Sequence, residues 1–113
     1  MVKIYSVNGN ETKPIGRVED DGVVYDAIEG GESAGIVDQY GAVYDEVLAG
    51  EFVGIVFRDG LVVDDAEISN NIGNVDENGM VCDADGQVVA RAEGEPKYYA
   101  GVALMLLKDK LAK

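Results

Sequence analysis

A mainly β architecture, an antiparallel meander of β-hairpins ending in one α-helix, follows from three features of the chain. These are a 19-residue repeat, a glycine at the centre of each repeat, and a change of composition after residue 94. The repeat begins at Ile15 (IGRVEDDGVVYD), Ala34 (AGIVDQYGAVYD), Val53 (VGIVFRDGLVVD) and Ile72 (IGNVDENGMVCD), each start 19 residues beyond the last. The first glycine position holds Gly16, Gly35, Gly54 and Gly73, and the second holds Gly22, Gly41, Gly60 and Gly79. Units of this size bury an apolar face only by packing against one another.

In chain order, the N-terminal IYSVNGNETKP reads as the second half of a preceding copy. Each full copy reads as two short β-branched strands with a glycine at the reversal. A type I turn over Glu19-Asp20-Asp21-Gly22 leaves Gly22 in the left-handed region, as a bulge glycine. That register pairs Val18 with Val24 and Gly16 with Asp26, and in later copies Val37 with Val43, Val56 with Val62 and Val75 with Val81. The constant residues then share one face. The variable pairs, Arg17 with Tyr25, Ile36 with Tyr44, Ile55 with Val63 and Asn74 with Cys82, share the other. Glu29-Gly30-Gly31-Glu32, Ala49-Gly50-Glu51, Ser69-Asn70-Asn71 and Asp85-Gly86 supply turn chemistry between units. VVARAEG from Val88 is a partial fifth copy. About ten short strands result, in a petal-like or barrel-like arrangement, since both manage sheet edges.

EPKYYAGVALMLLKDKLAK is different material. Pro96 suits the first helical turn. Lys108, Lys110 and Lys113 lie where the helix dipole favours cations. Apolar stripes of Tyr99, Val102, Ala103 and Leu106, and of Ala100, Leu104, Leu107 and Leu111, predict a helix buried on two sides. The expected organisation is one domain, 1–113, with hairpin repeats over 1–94 and a helix over 95–113 packed on the sheet.

The stretch from Asn8-Gly9 through Pro14-Ile15-Gly16-Arg17-Val18 to Gly22-Val23-Val24-Tyr25, with its three later copies, resembles the four-fold β-flower domains. Their petals are β-hairpins around a pseudo-fourfold axis. The resemblance covers most of residues 5–93. It implies a shape and no catalytic residues.

Composition narrows function. The chain of 113 residues carries 22 Asp and Glu against 9 Lys and Arg, a net charge of −13. Residues 14–96 hold three Arg and twenty acids, net −17, and both ends are mildly basic. This acidity argues against nucleic acid and anionic membranes as partners. It favours a basic protein as partner; the other expected partner is a second copy of the chain, in a homo-oligomer. With no His and one Cys, imidazole catalysis, His-ligated metal sites and an internal disulfide are excluded. A lone Cys and the absence of a signal-like N-terminal stretch suit a soluble cytoplasmic protein. Cys82 occupies the slot of Tyr25, Tyr44 and Val63, so it reads as a packing residue.

The carboxylates are the plentiful reactive groups. A small carboxylate-dependent hydrolase would need two acids about 5–9.5 Å apart in a cleft. Asp83-Ala84-Asp85-Gly86 has part of a calcium-loop spacing, but Gln87 and Val88 do not continue it. Asp26, Asp45, Asp64 and Asp83 recur in all four copies and are the candidate ligands for Ca²⁺ or Mg²⁺. The competing role is local, each carboxylate accepting backbone N–H bonds at its strand end. In a flat meander equivalent residues stand roughly 9–10 Å apart, too far to share an ion that binds oxygen at about 2.4 Å. The expected function is therefore a non-enzymatic β-repeat module with a structural or protein-binding role, holding no resident cofactor. The alternatives are the hydrolase and an Asp-based cation binder.

Overall fold

The computed structural model describes residues 1–48, 50–64 and 71–111. Ala49 and residues 69–70 of the expected links, and Lys113, lie outside them. Ten antiparallel strands follow one another around a closed barrel: β1 (Val2–Asn8), β2 (Glu11–Val18), β3 (Val23–Tyr25), β4 (Ser33–Val37), β5 (Ala42–Tyr44), β6 (Phe52–Val56), β7 (Leu61–Asp64), β8 (Asn71–Val75), β9 (Met80–Asp83) and β10 (Val88–Gly94). β1 closes the ring by pairing with β10.

The hairpin register is the expected one. Val18 pairs with Val24, Val37 with Val43, Val56 with Val62 and Val75 with Val81. The turn chemistry sets it. Glu19 N–H donates to the Val23 carbonyl and Gly22 N–H to the Glu19 carbonyl, each at 2.9 Å, with Gly22 at φ 90. The same two bonds recur at Asp38–Gly41, Phe57–Gly60 and Asp76–Gly79. All eight valines are buried, so the constant face is the inner one.

Curvature comes from the joints between hairpins. The β1–β2, β3–β4, β5–β6, β7–β8 and β9–β10 ladders each skip one residue, and those residues are Ile15, Ala34, Val53, Ile72 and Val89. Each occupies the same repeat position, just before the first glycine (Ala90 in the fifth copy). A bulge bends and twists its strand, and five at equivalent places curl the meander shut. The four-fold resemblance implies four petals, whereas the ring contains five hairpins. The fifth is split between the chain's ends. Arg91 pairs with Tyr5, its guanidinium 4.5 Å from the ring centroid. Arg17 on Tyr25 does the same in the first copy, at 4.1 Å.

The C-terminal segment departs from expectation in its helical type and is enclosed more completely than by one sheet face. It forms 3-10 helices, over Lys97–Leu104 and Lys108–Lys110, instead of one α-helix. It runs inside the ring, since Lys97–Leu104 touches β1, β2 and β6 through β10. Both follow from the dimensions of the barrel. Roughly eight strands enclose just the space their own side chains fill. Ten strands lined by Val, Ala and Gly leave a lumen, which needs a slender filler. A 3-10 helix is tighter than an α-helix and rises about 2.0 Å per residue. Even so, a Cβ at Gly101 would come within 2.6 Å of Val62 Cγ2 and 2.8 Å of Val56 Cγ1. Ala100, Val102, Ala103 and Leu107 are fully enclosed, while Leu104 and Leu106 are partly buried.

Four consecutive residues of this plug meet the four repeats in reverse order. A Cβ added at Gly73 would lie 2.5 Å from Leu104 Cδ1, and one at Gly54 2.5 Å from Met105 Sδ. At Gly35 it would lie 2.7 Å from Leu106 Cδ1, and at Gly16 2.7 Å from Leu107 Cδ1. The fifth copy has Ala90 in the glycine position, fully buried. Four glycines thus receive four plug side chains, and the sector with its own methyl group stands beside them.

Candidate functional site

Three of the repeated aspartates, Asp26, Asp45 and Asp83, hold local turns. Asp26 Oδ1 accepts the Glu32 N–H at 2.9 Å, and Asp45 Oδ1 accepts the Glu51 N–H at 2.8 Å. Asp83 Oδ1 accepts the N–H groups of Asp85 and Gln87, both at 3.0 Å. The Asp83-Ala84-Asp85-Gly86 stretch is therefore another type I turn with a left-handed glycine, Gly86 at φ 82. Asp64 pairs with Gly54 across its hairpin, as Asp83 does with Gly73. Among the described residues no three His, Cys, Asp or Glu side chains are grouped to hold a metal ion. Micromolar calcium is expected to leave the melting temperature of the wild type and of Asp45→Asn unchanged. A large upward shift abolished by that substitution would instead establish a shared ion.

Cys82 lies on the outer face, half-buried. Burial raises its thiol pKa, and the charges of Asp76 and Asp83 raise it further. Since the thiolate is the reactive form, alkylation by iodoacetamide at pH 8 is expected to be slower than that of a free cysteine. Asp83→Asn removes one repelling charge and is expected to speed it.

A different surface gathers more chemistry. The four type I turns share one rim of the barrel with the entrance of the plug. Tyr98 and Tyr99 emerge there, ring centroids 4.8 Å apart, edge to face. A cleft of about 400 Å³ on the Tyr99 side is walled by Asp20, Asp21, Ile36, Asp38, Gln39 and Tyr40. A cleft of about 390 Å³ on the Tyr98 side is walled by Arg58, Asp59, Asp76, Glu77, Glu95 and Lys97. Tyr40 projects from its turn and is 80% exposed. Burial raises the Tyr99 pKa, helped by Tyr98 and the Asp38 charge and opposed by Arg58. The phenol is thus a neutral donor at physiological pH.

The turns that carry these side chains are held by their own carboxylates. Asp38 Oδ1 accepts the N–H groups of Tyr40 and Ala42, at 2.8 and 3.0 Å. Asp76 Oδ1 accepts those of Asn78 and Met80, each at 2.9 Å. One oxygen of each carboxylate is committed to the turn while its charge stays on the rim. Asp20 meets the Met1 ammonium, and Glu95 meets Lys97 Nζ at 2.5 Å. Arg58 is the one basic residue within the four turns. The rim therefore offers aromatic faces among carboxylates, a combination that suits ammonium and guanidinium groups.

Sequence reasoning had placed Tyr99 in a buried stripe and passed over Tyr40. The signal was present: Tyr40 stands where the other copies have Asp21, Asp59 and Asn78, an aromatic in a small-polar turn slot. Among the described residues no helix is long and apolar enough to cross a membrane. Neither the family models, nor the curated proteins, nor the solved structures compared with this chain match it.

Proposed function

We propose that this chain is a non-enzymatic binding module, a β-flower-like ring that recognises a cationic protein through its tyrosine and carboxylate rim. The carrying observation is the exposed Tyr40 beside the Tyr98–Tyr99 pair, with a carboxylate-walled cleft on each side. A body of net −17 supports it by attracting basic partners from a distance. The turn architecture supports it by holding the charges in place before a partner arrives, which lowers the ordering cost of binding.

Titrating a lysine- and arginine-rich peptide while recording backbone amide shifts tests the reading. Shifts are expected at residues 20–22, 38–41, 58–60, 76–79 and 97–99. Affinity is expected to fall about tenfold or more as salt rises from 50 to 500 mM, because exposed charges are screened beyond a Debye length. Tyr40→Ala is expected to weaken binding about two- to fivefold, the value of an exposed cation–π contact. Salt-independent binding, or shifts confined to the opposite rim, would refute the assignment.

A further inference from the structure

We infer that the barrel lumen is a peptide-binding site, specific for four consecutive long aliphatic side chains, which this chain fills with its own residues 104–107 and which accepts the same segment from a second copy. The selectivity lies in the seats. Gly16, Gly35, Gly54 and Gly73 each leave room on the inner wall, and Leu107, Leu106, Met105 and Leu104 occupy that room in strict order. Leu and Met carry no branch at Cβ, so the side chain clears its own backbone before it widens.

The mode of attachment makes exchange feasible. Among the described residues no backbone hydrogen bond joins the plug to a strand. Its own bonds are local: Tyr99 N–H to Pro96, Met105 and Leu106 N–H to Val102, Leu111 N–H to Lys108. Apart from its covalent link through Glu95-Pro96 and the Lys97 Nζ bond to the Gly94 carbonyl at 3.4 Å, the segment is held among the described residues by side-chain packing, while every strand is tied into the ladder. It leaves β10 at Gly94 (φ 103), on an exposed stretch, so a turn at Gly94–Glu95 can direct it into its own ring or a neighbour's. Exchange of an identical element costs little, because each contact is remade in the partner.

The test uses the full chain carrying Leu106→Ser and Leu107→Ser, which empties two seats without touching the wall. A synthetic peptide of residues 97–111 is added, and melting is followed by circular dichroism. The expected result is a saturable rise in Tm of about 5 °C or more. No rise is expected with the same peptide carrying Leu104→Ala, Met105→Ala, Leu106→Ala and Leu107→Ala. Equal effects of both peptides, or none from either, would overturn the inference. If the variant does not fold alone, it is refolded with each peptide. Recovery of β signal with the first peptide alone supports the site, and recovery with neither overturns it. The wild-type chain is then supplied as donor to the variant. Native mass spectrometry is expected to find a mixed dimer growing with concentration, and its absence would overturn the second copy as a source.

Discussion

Gly35→Val is expected to lower the melting temperature by about 10–15 °C, corresponding to about 3 kcal/mol. Two independent collisions contribute. The new Cβ would stand 2.2 Å from the Tyr44 carbonyl oxygen on the facing strand and 2.7 Å from Leu106 Cδ1 in the plug. The Tyr44 carbonyl cannot withdraw, because Tyr44 is held in the β4–β5 and β5–β6 ladders, whereas the partly buried Leu106 side chain can turn aside only by giving up packing against the ring. Overpacking a filled interior costs about 1–3 kcal/mol, and the clash with backbone places this site at the upper end. Gly30→Val serves as the control for expression and handling: nothing lies within 4 Å of a Cβ there, and the chain is exposed. Its φ of 64 still carries local strain, so a smaller loss is expected there. Thermal unfolding of the two variants beside the wild type checks the difference.

Removing residues 95–113 is expected to abolish the cooperative fold. The plug buries Ala100, Val102, Ala103 and Leu107 against valines from around the ring. Without it those valines line an empty apolar tunnel, and the surrounding packing is lost with it. The truncated chain is expected to bind anilinonaphthalene sulfonate, to elute as aggregate on gel filtration, and to melt without a sharp transition. A compact, monomeric, cooperatively melting product would show that the ring stands without its filler. A milder version is Leu107→Ala, expected to cost about 2–5 kcal/mol, the range for deleting a buried leucine side chain.

The hairpin register could be read from the sequence because one local rule fixes it. A glycine four residues after Val18 allows a type I turn and bulge, and that turn pairs Val18 with Val24. Copies two to four repeat the rule, so a single inference covers four hairpins. Both partial copies were visible as well, in IYSV and VVARAEG, although their union into a fifth hairpin was not. That union depends on total curvature. Curvature is set by the bulges at Ile15, Ala34, Val53, Ile72 and Val89, which read in sequence as ordinary strand residues. The fate of the plug was hidden for the same reason. Whether an apolar segment lies on a sheet or within it depends on whether the sheet closes. Its helical type followed from the space left inside, which no propensity records. The glycines at 16, 35, 54 and 73 looked like hairpin punctuation, and their role as seats emerged only with the plug in place. The turn role of the repeated aspartates was among the sequence readings. The tyrosine rim was not, because Tyr40 and Tyr99 stand far apart along the chain and meet only through the barrel's end.

The split fifth hairpin has a consequence for the order of events during synthesis. Val2 pairs with Val18 early but finds its second partner only when Gly94 has been made, so the outer edge of the first of these strands waits for the last. Hairpins from Val18–Val24 onward close over short spans and form as they emerge, but the ring stays open until translation has passed β10. Throughout that interval two strand edges are exposed, the outer edge of β1 and the edge of whichever strand was completed most recently. Unpaired edges are templates for joining other chains. The acidic body keeps nascent copies apart, since like charge opposes their approach. The plug follows β10 in the chain, so it reaches its seats as the wall is being completed around it. Closure and filling then become one late, cooperative step, governed by a long-range contact and slow by the measure of local hairpins.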